Sequence, residues 1–192
     1  MAFDVPQNYS LIYSRQQIST RIVRLGAEIT TWAKDVENNS TRQALAVCIL
    51  RGGAFFFADL LRAVETSVEI AFCRAWSYCS ESNVQQANTI RTYIEDIDAT
   101  ERDVLVVDDI CDTGATLHKI QSDLLALGAS SVKTAVLIHR KAANNTFVPN
   151  WVAMPHAGQE WFVGYGMEDR NRFSNLPDLY VISNSAQSKA RP

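Results

Sequence analysis

Four cysteines in 192 residues are few, and Cys48, Cys73, Cys79 and Cys111 form neither a Cys-x-x-Cys pair nor a Cys/His spacing suited to a metal. Cys48 lies inside an apolar run, so these thiols read as reduced, buried small hydrophobes in a cytosolic (cytoplasmic) setting. No apolar run approaches the length of a membrane span, and the amino terminus lacks a charged-then-apolar signal, so no membrane association is expected. A basic excess is missing too: 18 Lys and Arg against 21 Asp and Glu give a net charge of −3. That balance carries no electrostatic footprint for nucleic acid and leaves room only for a local basic patch. There is no internal repeat and no low-complexity tract; the polar tail from about residue 184 is expected to fray.

What remains is an ordinary globular composition, most economically one domain over residues 1–192 with a substantial core. Ile18, Ile22, Leu25, Ile29 and Trp32 recur at helical spacing, and Asn38-Asn39-Ser40 ends that helix. Ala44 to Leu50 reads as a buried strand, Arg51-Gly52-Gly53 as a tight turn, and Ala54 to Val64 as a helix with a core of Phe55, Phe56 and Phe57. Val68 to Trp76 is the next strand and runs into Ser77-Tyr78. The polar stretch 79–100 has no strong period and reads as a mobile loop or loose hairpin, a length often used for lids. Further strands are expected over Val132–Ile138, Trp151–Met154, Trp161–Gly166 and Leu179–Ser183. Strands alternating with helices argue for an α/β fold, a parallel sheet with helices on both faces and its ligand at the carboxyl ends of the strands.

The most informative stretch is Val104 to Thr116. An apolar β-branched run ends in Asp108 and Asp109, then Ile110 and Cys111 lead into Asp112-Thr113-Gly114-Ala115-Thr116 and a helix carried by Leu117, Ile120, Leu124 and Leu127. Strand, small-residue turn and helix place backbone amides and two threonine hydroxyls at a helix N-terminus, a ready anion site. No Gly-Lys-Ser/Thr follows Gly114, so a Walker phosphate loop is excluded. Two acids ahead of a phosphate cradle suit a sugar phosphate, the carboxylates accepting from vicinal hydroxyls. Taken alone, Asp-Thr-Gly reads more readily as a surface loop whose Asp112 caps the helix.

The whole string resembles the phosphoribosyl-diphosphate (PRPP) motif of type I phosphoribosyltransferases. Three further segments follow in the order of the hypoxanthine-guanine branch: Leu50-Arg-Gly-Gly53, Ser77-Tyr78, and Trp161-Phe-Val-Gly-Tyr-Gly-Met-Glu168. On these residues the chain is identified as a member of the hypoxanthine-guanine phosphoribosyltransferase family. The resemblance implies a twisted, mainly parallel sheet flanked by helices, with a small hood formed by the chain ends. It implies PRPP and a 6-oxopurine as substrates, Mg²⁺ as cofactor, and a homodimer or homotetramer. Thr113, Gly114, Ala115 and Thr116 would cradle the 5′-phosphate, while Asp108 and Asp109 would hold the ribose hydroxyls, directly or through the metal. Asp112 would be the general base. Leu50, Arg51 and Gly52, with a strained, cis-capable peptide at Leu50–Arg51, would meet the diphosphate, as would Ser77 and Tyr78 at the start of the lid. Trp161 would stack on the purine, with Ile110 and Phe162 beside it, and Glu168 stands where the family has an Asp that approaches the metal and the ring edge.

Two departures matter. A family Arg that helps hold diphosphate is Ser174 here, with Arg170 and Arg172 close by. The family Lys that donates to the purine 6-oxo group falls, without gaps, at His139, followed by Arg140 and Lys141; any of the three is a candidate, and His139 and Lys141 are placed in the purine site. Two other readings stay open: a nucleotide-binding regulator of the same fold, and a transferase acting on xanthine or another purine.

Overall fold

The computed structural model describes residues 3–40, 42–78, 89–141 and 147–182. Along the chain run β1 (Tyr9–Tyr13), α1 (Arg15–Asn39), β2 (Leu45–Leu50), α2 (Ala54–Arg62), β3 (Glu69–Tyr78) and β4 (Thr89–Tyr93). They are followed by β5 (Asp103–Cys111), α3 (Ala115–Ala126), β6 (Ser131–Arg140), β7 (Trp151–His156), β8 (Trp161–Val163) and β9 (Leu179–Ile182). The main sheet has six strands in the order β4-β3-β2-β5-β6-β7, all parallel except β4, which pairs antiparallel with β3. A second sheet, β1-β9-β8, is antiparallel and joins the two ends of the described chain into the expected hood.

Alternation along the central strands sorts the core onto two faces. Ala46 and Cys48 of β2, with Leu105 and Val107 of β5, pack against Ile18, Ile22, Leu25 and Ile29 of α1 and Phe56 and Leu60 of α2. Leu45, Val47, Val104 and Val106 face the other way, onto Leu117, Ile120 and Leu124 of α3. Helix α1 starts on a capping box the composition gave no reason to single out: Gln17 N–H donates to Ser14 Oγ, and the Ser14 N–H donates to Gln17 Oε1 at 2.9 Å.

From β2 the chain winds outward to β3, whereas from β5 it winds the opposite way to β6 and β7. The crevice between the carboxyl ends of β2 and β5 is therefore a topological switch point, where open α/β sheets bind ligands.

Several boundaries differ from the sequence expectation. Helix α2 stops at Arg62 rather than Val64. Strand β5 continues to Cys111, so Asp108 and Asp109 lie on the strand itself and not in the turn after it. Strand β8 ends at Val163 because Gly164 and Gly166, with φ of 100° and 101°, turn the chain back on itself. The stretch 79–100 contains β4, whose Ile90 and Thr89 pair with Ser77 and Tyr78. Residues 79–88 of that expected lid, and the expected frayed tail, lie outside the described residues. No helix among the described residues is long and apolar enough to cross a membrane.

Candidate active site

The end of β5 brings two acids to the crevice on opposite pleats. Asp108 is 7 % exposed and Asp109 half-buried. Each is folded back onto the backbone: Asp109 N–H donates to Asp108 Oδ1 at 2.9 Å, and Ile110 N–H to Asp109 Oδ1 at 2.8 Å. Burial, reinforced by the neighbouring Asp109, pushes the Asp108 carboxyl well above the usual range; burial also raises Asp109, opposed by its hydrogen bonds. These groups favour a cation or hydroxyls as partners, because either would relieve two crowded carboxylates. Gly52, from the turn after β2, packs so closely on the Asp109 carboxylate that a Cβ there would collide with it.

Beyond the acids, Gly114 adopts a left-handed conformation (φ 81°) and opens α3. The N-cap is Gly114, which makes no side-chain cap bond, so Asp112 does not take the N-cap role open to it in the sequence. Thr113 Oγ1 accepts from Ala115 N–H at 3.3 Å, and a helix N-terminus of this kind is suited to an anion. A cavity of about 280 Å³ is lined by Leu50, Gly52 and every residue from Asp108 to Leu117.

A second cavity, of about 410 Å³, adjoins it and shares Gly52, Asp109, Ile110 and Asp112. Its far wall is Trp161, Phe162 and Glu168, with Gly166, Met167, Gln159 and Glu160. Trp161 is 45 % exposed and held by its indole N–H, which donates to the Glu168 carbonyl at 2.9 Å. Phe162 is buried, with His156 edge-on at 4.9 Å.

Of the three basic candidates at the end of β6, Arg140 lines this cavity; His139 and Lys141 do not. Strand β6 runs through Arg140, two residues further than expected, and alternation turns residue 140 towards the cleft and its neighbours away. His139 is half-buried, its pKa lowered by burial and by the Lys141 charge, while Lys141 is exposed and its backbone N–H donates to the His156 carbonyl at 2.8 Å. The Arg140 guanidinium is buried. It donates to the carbonyls of Gly158 and, at 3.1 Å, Glu160, and lies 5.2 Å from the centre of the Phe162 ring. Its Nε sits 2.9 Å from Asp112 Oδ1, an ion pair by proximity rather than an aligned hydrogen bond.

At the mouth, the Leu50–Arg51 peptide is cis. Arg51 reaches Glu168 Oε1 at 3.0 Å and Asn171 Oδ1 at 3.3 Å. Asn171 was not legible as a site residue; it stands in a tight turn closed by Asp169 and Arg172, with Arg170 and Asn171 at φ of 50° and 61°. Neither Arg170 nor Arg172 lines either cavity of the cleft. Arg172 lies over the Phe173 ring at 4.8 Å, and the Ser174 carbonyl accepts from Gly166 N–H. The backbone of Ser77 and Tyr78 ends β3 beside this crevice. Among the described residues no group of three or more His, Cys, Asp or Glu is preassembled for a metal.

The family model of the phosphoribosyl transferase domain matches residues 19–170. Hypoxanthine phosphoribosyltransferase of Escherichia coli (strain K12) is 34% identical over 162 residues, covering 84% of this chain and 88% of that protein. The chain belongs to the hypoxanthine-guanine phosphoribosyltransferase family. The hypoxanthine-guanine-xanthine phosphoribosyltransferase of Tritrichomonas foetus is 28% identical over 182 residues, covering 91% of this chain and 92% of that one. In fold, a point mutant of the Trypanosoma cruzi hypoxanthine phosphoribosyltransferase, complexed with the product IMP, superposes with a TM-score of 0.80 at 23% identity, covering 95% of both chains. This family membership accounts for the order of the sequence motifs and for the type I phosphoribosyltransferase architecture of sheet and hood.

Proposed function

We propose that the chain transfers the phosphoribosyl group of PRPP to a 6-oxopurine, hypoxanthine or guanine, and releases pyrophosphate. The observation that carries this reading is the pair of adjoining cavities, one walled by helix-terminal amides and the other by an aromatic face, meeting at Asp109 and Asp112. A sugar phosphate fits the first and a flat base the second, which puts the anomeric carbon between them.

In this arrangement Thr113 to Thr116 hold the 5′-phosphate, and Asp108 and Asp109 hold the ribose hydroxyls. Trp161 stacks on the base beside Ile110 and Phe162. Arg140, rather than His139 or Lys141, faces the base and donates to its 6-oxo group. Asp112, beside Arg140, accepts the purine proton at N7; N9 then forms the bond to the anomeric carbon as the bond to pyrophosphate breaks and the oxygen leaves with its electron pair. Arg51, Gly52 and the Ser77-Tyr78 backbone face the departing diphosphate. The crowded, oxygen-rich pair Asp108–Asp109, with Glu168 across the mouth, suits Mg²⁺. Among the described residues these acids do not form a preassembled three-donor cluster, so substrate oxygens would complete the set that holds the ion. When bound, Mg²⁺ neutralises the diphosphate leaving group.

Self-association into a homodimer or homotetramer belongs to the same reading. Ile70, Phe72 and Trp76 alternate along one exposed face of β3 and offer apolar surface for it. Light scattering of the purified chain measures the state directly.

One observation favours a second reading, a nucleotide-binding regulator: with Ser174 in place of Arg and Arg172 turned onto Phe173, the diphosphate end has less positive charge than the family pattern. A spectrophotometric assay with PRPP and Mg²⁺ against hypoxanthine, guanine, xanthine and adenine separates the cases. Turnover of hypoxanthine or guanine supports the proposal. Turnover of xanthine or adenine alone moves the substrate, and nucleotide binding without turnover of any base favours the regulator.

A further inference from the structure

Arg51 belongs to the turn after β2, whereas its partners Glu168 and Asn171 belong to the turn after β8, so the ion pair at 3.0 Å joins the two walls of the cleft. The same two walls touch through backbone: a Cβ on Gly166 would collide with the Gly52 carbonyl. The distance between the turns is thus set by main chain, and a side chain as long as glutamate spans it. Both partners of the ion pair are accessible, at 73% and 39% side-chain exposure, so a competing anion from solvent can reach the guanidinium. A diphosphate offers more charge and more acceptor oxygens than one carboxylate, and it is a better partner for a planar guanidinium.

We infer that Glu168, together with Asn171, is a positioning residue for Arg51: its carboxylate occupies the guanidinium where the diphosphate would, yields it as the diphosphate arrives, and takes it back as pyrophosphate leaves. This rests on the diphosphate reading of the Arg51-Gly52 turn. Asn171 fixes the approach, because its left-handed position in the Asp169–Arg172 turn aims Oδ1 at the same guanidinium nitrogen that meets Glu168. Glu168 therefore acts as an internal competitor of the leaving group, and removing its charge strengthens diphosphate binding.

The test is calorimetric titration of the full chain with inorganic pyrophosphate, without Mg²⁺ and at low salt, comparing wild type with Glu168→Gln and Glu168→Asp. Glu168→Gln is expected to bind about two- to fivefold tighter, the range set by an exposed ion pair, and the gain should vanish at high salt. Glu168→Asp keeps the charge but loses reach by one methylene, and is expected to fall between the two. Loss of a merely structural contact would weaken binding, so the sign is diagnostic, and matching melting curves locate the change at the cleft. Equal or weaker binding by both variants, with the wild type binding, overturns the inference while leaving the diphosphate reading intact. Absence of pyrophosphate binding to any form overturns that reading and the inference with it.

Discussion

Replacing Arg140 with methionine tests stability and specificity at one position. Methionine keeps the unbranched apolar stem on Phe162 and removes the guanidinium. The Gly158 and Glu160 carbonyls then lose their donor, and Asp112 loses its counter-charge. A hydrogen bond from a charged donor is worth about 1.5–3 kcal/mol, but the two carbonyls belong to half-buried loop residues that water can partly serve, and a buried cation is itself costly to desolvate. The net loss is about 2–4 kcal/mol, which for a chain of 192 residues lowers Tm by roughly 5–15 °C. Arg140→Lys keeps the charge but serves one acceptor at a time, and is expected to lose about 1–2 kcal/mol. If Arg140 also reads the 6-oxo group, kcat/KM for hypoxanthine falls about 10- to 150-fold in Arg140→Met. Any adenine turnover, lacking that acceptor, is not lowered. Thermal unfolding and steady-state assays on the same preparations give both numbers. An unchanged Tm would refute the account of the buried clamp, and undiminished hypoxanthine turnover would refute the assignment of Arg140 to the base.

Three further outcomes are expected. Asp112→Asn should retain PRPP binding while turnover falls by about two to four orders of magnitude; an unchanged rate removes Asp112 as the base. Trp161→Ala should raise KM for the base about 5- to 150-fold through lost stacking, with little change in PRPP affinity, as separate titrations of the two substrates would show. The third concerns pH. Because burial raises the Asp108 pKa, the ligand-free folded protein holds a proton that the unfolded chain has released, so this group's contribution to stability falls as pH rises from the ordinary carboxylate range through the folded-state pKa. Asp108→Asn should flatten that slope and raise the ligand-free Tm at neutral pH while weakening PRPP binding; a Tm at or below wild type at neutral pH would contradict the burial argument.

The strand-turn-helix half of the candidate site was legible because it is local. Acids, spacers, Gly114 and the helix lie within one strand-turn-helix unit, and Gly114 has the left-handed φ that such a turn requires. The half walled by Trp161 and Arg140 was harder. Where β6 ends decides which of residues 139–141 meets the cleft, and a one-residue shift in a strand turns every side chain to the opposite face. Three consecutive basic residues give no hint of that phase, whereas the structure fixes it through the register Arg140↔His156. Asn171 was invisible for another reason: its role depends on contact with Arg51, 120 positions away. The hood strand β1 has the same character, since Tyr9 finds its partners near the other end of the described chain. By contrast, β4 carries an alternating Thr-Ile-Arg-Thr-Tyr pattern that is readable once a strand is sought there.

The joining of β1 to β9 has a consequence for biosynthesis. The Tyr9 hydroxyl bonds Asp169, 160 residues away, and β9 is the strand that lies between β1 and β8. A ribosome adding about 5–20 residues per second needs on the order of ten seconds to cover that interval. During that time the strands of the larger sheet and the phosphate turn are already available to assemble, while β1 and then β8 wait with unpaired edges. The wall that carries Trp161 is therefore the last part of the cleft to form. A nascent chain released before Leu179 lacks β9 and leaves the edges of β1 and β8 open to intermolecular pairing, so such truncated products are expected to aggregate.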